Sequence, residues 1–106
     1  MENIYNNIPD HLPRELFDGI LSGRDFRMER IVSRGHKTPE GTWYDQDEDE
    51  WVLVLKGCAG LCIQGRKEVI VMGPGDYVHL DAHVKHRVEW TDEAGETVWL
   101  AIHFNK

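Results

Sequence analysis

A chain of 106 residues has the length of one domain, and 41% hydrophobic with 29% charged residues is too apolar a mixture to stay disordered. Nineteen acidic against twelve basic side chains give a net charge of −7, which argues against a phosphate-neutralising surface and so against nucleic acid as a partner. The longest apolar runs, Trp51 to Leu55 and Val98 to Ile102, fall far short of the ~20 residues of a spanning helix, and the N-terminus shows no secretory pattern, so a cytoplasmic location without membrane contact is expected.

Residues 1 to about 12 are polar and Asn-rich and read as an irregular arm. Arg14 to Leu21 carries Leu16, Phe17, Ile20 and Leu21 at i, i+1, i+4, i+5, which predicts one short helix with Pro13 in its first turn and Ser22-Gly23 at its end. The expected division is therefore an arm and short helix over 1–25 and a β-barrel over 26–106. From Phe26 onward the chain reads as strands. Phe26 to Ser33, Thr42 to Tyr44, Trp51 to Lys56, Cys58 to Gln64, Lys67 to Met72, Tyr77 to Leu80, His86 to Thr91 and Thr97 to Phe104 are the segments. Gly65-Arg66 suits a hairpin tip and Gly73-Pro74-Gly75-Asp76 a turn. Seven or eight strands spaced by roughly ten residues indicate an all-β sandwich or barrel.

The acidic run Asp45 to Glu50 does not make a calcium loop. Counted from Asp45, the sixth position should be Gly and the twelfth Glu, but they are Glu50 and Lys56. It reads mostly as a solvated turn. Its last residue differs, because Glu50 continues into Val52 and Val54 at period two and so shares their buried face. A carboxylate entering an apolar interior needs a cation, a proton or hydrogen-bond donors. With Asp47-Glu48-Asp49 as a three-residue hairpin loop, Gln46 and Glu50 would face each other, their Cβ atoms about 4.5–5.5 Å apart, with Tyr44 on the face of Gln46.

His83-Val84-Lys85-His86 has metal-like spacing, yet in a strand the odd offset sends the two rings to opposite faces. His36, His79 and His103 stand alone. Cys58 and Cys62 would lie about 13 Å apart in a strand, beyond disulfide reach, and are expected to be small buried hydrophobes. Trp51, Trp90 and Trp99 are expected in or around the core, with Trp43 at a pocket mouth. No phosphate loop, nucleophile elbow or His-Glu-x-x-His occurs, which leaves nucleophilic hydrolysis without a foothold.

Two segments together resemble a known family. Glu50-Trp51-Val52-Leu53-Val54-Leu55-Lys56-Gly57 is similar to the second half of the first cupin motif, and Gly75-Asp76 through Asp81, His83 and His86 is similar to the second. With a short stretch between the motifs, the pattern resembles small single-domain bacterial cupins. The resemblance implies an all-β double-stranded β-helix, or jelly-roll barrel, with a small-molecule pocket at one end. It also implies a homodimer. In metal-binding cupins a His-x-His, the Glu and the second-motif His hold a divalent ion. Here Glu50 and His86 match the last two, while the His-x-His falls on Tyr44 and Gln46, and the Pro and Gly of the second motif fall on Asp81 and His83.

The expected function is the binding of a polar small molecule by Tyr44, Gln46, Glu50 and His86. A divalent metal (Zn²⁺, Ni²⁺, Mn²⁺ or Fe²⁺) would sit on Gln46, Glu50, His86 and a further histidine, His79 or His103. The alternative is a cupin enzyme: a metal-dependent oxygenase, or a metal-free isomerase or epimerase with His86 beside Glu50 as base and Tyr44 as acid.

Overall fold

The chain from Leu16 to Phe104 folds into two facing antiparallel sheets. The computed structural model describes all 106 residues. Its strands are β1 (Leu16–Ser22), β2 (Phe26–Ser33), β3 (Asp49–Lys56), β4 (Ala59–Ile63), β5 (Ile70–Met72), β6 (Tyr77–Leu80), β7 (His86–Thr91) and β8 (Thr97–Phe104). One sheet has the order β1-β2-β8-β3-β6, the other β5-β4-β7. The jelly-roll barrel expected from the sequence is present. No helix in the structure is long and apolar enough to cross a membrane.

The predicted helix over Arg14 to Leu21 is not. Leu16 to Ser22 is instead an edge strand paired with β2 from Leu16↔Val32 to Ser22↔Arg27. A register shift between Gly19 and Leu21 interrupts that ladder. The extra residue, Ile20, breaks the period-two alternation and leaves a spacing that imitates a helix. Two turns of helix are marginal alone, so the hydrogen bonds offered by β2 decide the outcome. The preceding arm is tied down by Arg30, whose guanidinium donates to the carbonyls of Ile4, Asn6 and Asn7 and pairs with Asp18.

The core lies between the sheets. Val52, Val54, Ala59, Leu61, Met72, Trp99 and Ala101 form one buried cluster, each large side chain contributing about 1.5–3 kcal/mol by leaving water. Trp99 is the buried indole. Trp51 is half-buried and tilted against Tyr77 at 5.4 Å between ring centroids, and the indole of Trp90 covers Gly60 so closely that any Cβ there would collide with it. Cys58 and Cys62 are free thiols and half-buried, less enclosed than their sequence suggests. The turn after β3 places Gly57 at φ +86° with Thr97 and the Glu96 carbonyl against it, a position only glycine fits.

Candidate functional site: a barrel-end pocket

β3 and β8 set the geometry. They pair with Glu50 opposite His103, Val52 opposite Ala101 and Val54 opposite Trp99, so all six share the inner face. Glu50 also pairs with Leu80 at the end of β6. On the other sheet β7 begins at His86. A cavity of about 90 Å³, room for several waters or one compact molecule, opens at this end of the barrel. Its polar wall is Glu15, Glu29, Gln46, Glu50, His86 and His103; Tyr44, Phe17, Ile31 and Trp99 contribute to the rest.

Tyr44, Gln46, Glu50 and His86 thus meet in one cavity, but not by the expected route. No hairpin joins Gln46 to Glu50, because β3 takes β6 and β8 as neighbours. Residues 44–46 cross instead to the edge of the other sheet. Tyr44 and His86 exchange both backbone hydrogen bonds, at 2.8 and 3.1 Å, and the His83 amide donates to the Gln46 carbonyl at 2.8 Å. That bridge holds the Tyr44 and His86 rings 5.6 Å apart between centroids. Trp43 turns away from the cavity, with the Arg87 guanidinium 5.8 Å from its ring centroid.

At the centre His86 Nε2 lies 3.2 Å from Glu50 Oε1, both side chains about nine-tenths buried. The other ring nitrogen, Nδ1, donates to the Val84 carbonyl at 2.9 Å. A carbonyl can only accept, so the proton on Nδ1 is fixed. Nε2 then faces a carboxylate either as a bare lone pair, which repels, or as an N–H of the imidazolium, which binds. Burial pulls the His86 pKa down, but the hydrogen bond and charge of Glu50 and the Val84 carbonyl outweigh it and hold the pKa above its ordinary 6.5. The Tyr44 phenol is also raised, by burial first and then by the charges of Glu15 and Glu50 against an opposing hydrogen bond from Thr38.

His103 extends the centre. Its Nε2 donates to Glu29 Oε1 at 3.0 Å and lies 3.9 Å from Glu50 Oε2. Two polar atoms here are buried with no partner: Gln46 Oε1 and His103 Nδ1. Of the two histidines expected as extra ligands, His103 is in the pocket and His79 is not. His79 stands on the outer face, its Nε2 2.8 Å from Asp49 Oδ2 and 3.8 Å from Asp81 Oδ1. Asp49, His79 and Asp81 are close enough together to hold a metal ion, but the Lys106 ammonium already lies 3.3 Å from Asp49 and 2.9 Å from Asp81. His83 is also outside, in a turn at φ +65°, held by Asp45 at 2.8 Å. The acidic run is therefore less solvated than it reads, since Asp49 and Glu50 are both buried.

Sequence reasoning missed Glu15 and Glu29. For Glu29 the signal was available: it precedes Ile31 and Ser33 at period two on β2 and so shares their face. Glu15 follows from the ladder, because Phe17 opposes Ile31 and the Ser33 hydroxyl donates to the Glu15 carboxylate.

The comparisons with known proteins agree with this architecture. The cupin domain family matches residues 31–103. A provisionally named mannose-6-phosphate isomerase from Ralstonia eutropha JMP134 is 42% identical and superposes with a TM-score of 0.97 over 100% of this chain and 98% of its own. A cupin superfamily protein from Desulfitobacterium hafniense DCB-2, 17% identical, gives 0.75 over 93% and 84%. The DMSP lyase DddQ from Ruegeria pomeroyi DSS-3, 16% identical, also gives 0.75 over 95% and 52%. These last two share the fold alone. No curated protein matches the chain. The paired motifs, the two-sheet barrel and the family match together assign this chain to the cupin family.

Proposed function

We propose that the barrel-end pocket binds a polar small molecule through Tyr44, Gln46, Glu50 and His86. The observation that carries this reading is Gln46 Oε1, buried in the cavity wall without a donor. An acceptor left unpaired costs about 1–3 kcal/mol, so a hydroxyl or amine that enters and satisfies it recovers that energy on binding. Glu50, on the wall of the same cavity, offers the guest a charged acceptor, held in place by His86, whose two ring nitrogens are taken up by Glu50 and the Val84 carbonyl.

The donor set also fits a divalent ion. With Nδ1 committed to Val84, a neutral His86 presents its Nε2 lone pair towards Glu50. Two donors on one zinc-like ion lie roughly 3–3.5 Å apart, which the 3.2 Å separation matches. Gln46 Oε1, unpaired in the same cavity, would supply a third, weaker donor, while the Tyr44 phenol, its pKa raised, would not join. When bound, the ion would polarise a ligand oxygen as a Lewis acid. The fixing of the His86 ring by Val84 is the support such ligands need.

The second reading is an isomerase or epimerase, favoured by the name of the Ralstonia protein at 42% identity over its whole length. In it the His86–Glu50 pair takes up a proton and the Tyr44 phenol returns one. A homodimer belongs to the same proposal, supported by the exposed apolar side chains Phe17, Ile20 and Leu21 on the edge strand β1; sedimentation equilibrium tests it.

Thermal shift with divalent ions and polar ligands tests the pocket. Saturation at about 100 times Kd adds ~2.7 kcal/mol of stability. The shift should vanish in Glu50→Gln and His86→Ala and weaken in Gln46→Ala. A shift that persists unchanged in all three refutes the assignment.

A further inference from the structure

The charges around the cavity are one-sided. Three carboxylates line it, from Glu15, Glu29 and Glu50, together with two imidazoles, and no Lys or Arg takes part. Even with both His86 and His103 protonated, three negative charges face two positive ones. A divalent ion on Glu50 and His86 does not reverse this. It requires His86 as a neutral ligand, which leaves three carboxylates against the two charges of the ion and whatever proton His103 carries. Three arginines adjoin cavity residues in sequence and none lines the cavity: Arg14 precedes Glu15, Arg30 follows Glu29 and turns to Asp18 and the N-terminal arm, and Arg87 follows His86 and turns to Glu89 and Trp43.

Two of the carboxylates retain unused capacity. One Glu29 oxygen accepts from His103 and one Glu15 oxygen accepts from Ser33, and the second oxygen of each has no hydrogen-bond partner. Trp99 and Phe17 bring aromatic surface to the same cavity, and such faces attract cations, as carboxylates do. A phosphomonoester, by contrast, would bring roughly two negative charges to a wall with no Lys or Arg, whose only basic groups, the His86 and His103 rings, already face Glu50 and Glu29.

Resting on the small-molecule reading above, we propose that the guest is a compact amine bound as its ammonium ion, with Glu15 and Glu29 selecting the charge, and that phosphate esters are refused. The phosphorylated sugar in the name of the Ralstonia protein is then not a ligand of this chain.

Calorimetric titration of the full chain, stripped of metal with a chelator, separates the possibilities. The probes are 1,4-diaminobutane, 4-amino-1-butanol, 1,4-butanediol, mannose and mannose 6-phosphate. The amines should bind at least tenfold tighter than the diol, and mannose 6-phosphate no tighter than mannose. Glu15→Gln and Glu29→Gln keep the shape and remove the charge, so each should weaken the amines severalfold more than the diol and shrink the amine preference. If the diol equals the amines, or the phosphate improves on mannose, the charge inference falls while the small-molecule pocket stands. The inference also falls if the preference survives both variants. If none of the five binds, the amine inference falls, and the small-molecule pocket stands or falls on the thermal-shift test above.

Discussion

Asp49 and Glu50 are neighbours in sequence, both are buried, and each meets a histidine, yet they build opposite environments. Asp49 points to the outer face of β3, where His79, the Ala82 amide and the Lys106 ammonium surround it. Glu50 points inward, where the His86 and His103 rings are its only basic neighbours and Glu29 adds another carboxylate. The outer cluster is balanced by a lysine that water also reaches. The inner one closes on itself around a cavity. The contrast teaches that residue types do not distinguish a surface ion cluster from a binding site; the face of the strand and the absence of a neutralising cation do.

The largest expected effect comes from breaking the inner pair. Glu50→Ala strands His86 in a buried site and should lower the unfolding free energy by about 3 kcal/mol, read by urea denaturation. A loss below ~0.5 kcal/mol would mean that water reaches the pair freely and the inner cluster is no different from the outer.

The two clusters should also lose strength at opposite ends of the pH scale. The His86 pKa is raised on folding, so its contribution is complete below its ordinary 6.5 and fades as pH climbs through the folded value. For Asp49, desolvation acts upward but His79, the Ala82 amide and Lys106 prevail and lower its pKa. Its contribution is present above the ordinary 3.8 and is lost as pH falls through the folded value. NMR titration of the His86 ring should give a midpoint above 6.5 that drops in Glu50→Gln. A midpoint at or below 6.5 in the unmodified protein would break the contrast.

Smaller still is the response to His79→Ala. The ring is 42% exposed, so its pair with Asp49 is worth about 0.5 kcal/mol at most, and ligand or metal binding in the pocket should be unchanged. Metal stoichiometry lost in His79→Ala and retained in His86→Ala would transfer the metal site to the outer face. Lys106→Ala is expected to do least: the melting temperature should hardly move at physiological salt, because the ammonium is exposed and screened.

Much of this was legible in the chain. Glu50, Val52 and Val54 at period two announced an inward carboxylate, and the segments Phe26 to Ser33, Tyr77 to Leu80, His86 to Thr91 and Thr97 to Phe104 coincide with β2, β6, β7 and β8. β1 was hidden because its bulge at Ile20 erased the alternation by which strands are recognised. Local spacing sets Gln46 opposite Glu50 across a turn, whereas its carbonyl accepts from the amide of His83, in the turn between β6 and β7. His83 shows the reverse case. Where the cupin pattern has glycine, this chain keeps the left-handed backbone at φ +65° and uses the side chain to hold Asp45.

By itself the sequence determined which residues point the same way along each strand, since the pleat imposes that locally on any extended chain. Only the tertiary structure decided that His103 joins Glu50 while His79 joins Asp49, that Glu15 and Glu29 enter the pocket, and that no Lys or Arg follows them. Those facts depend on which strands lie side by side. Long-range pairing sets that order, and no short stretch of sequence contains it.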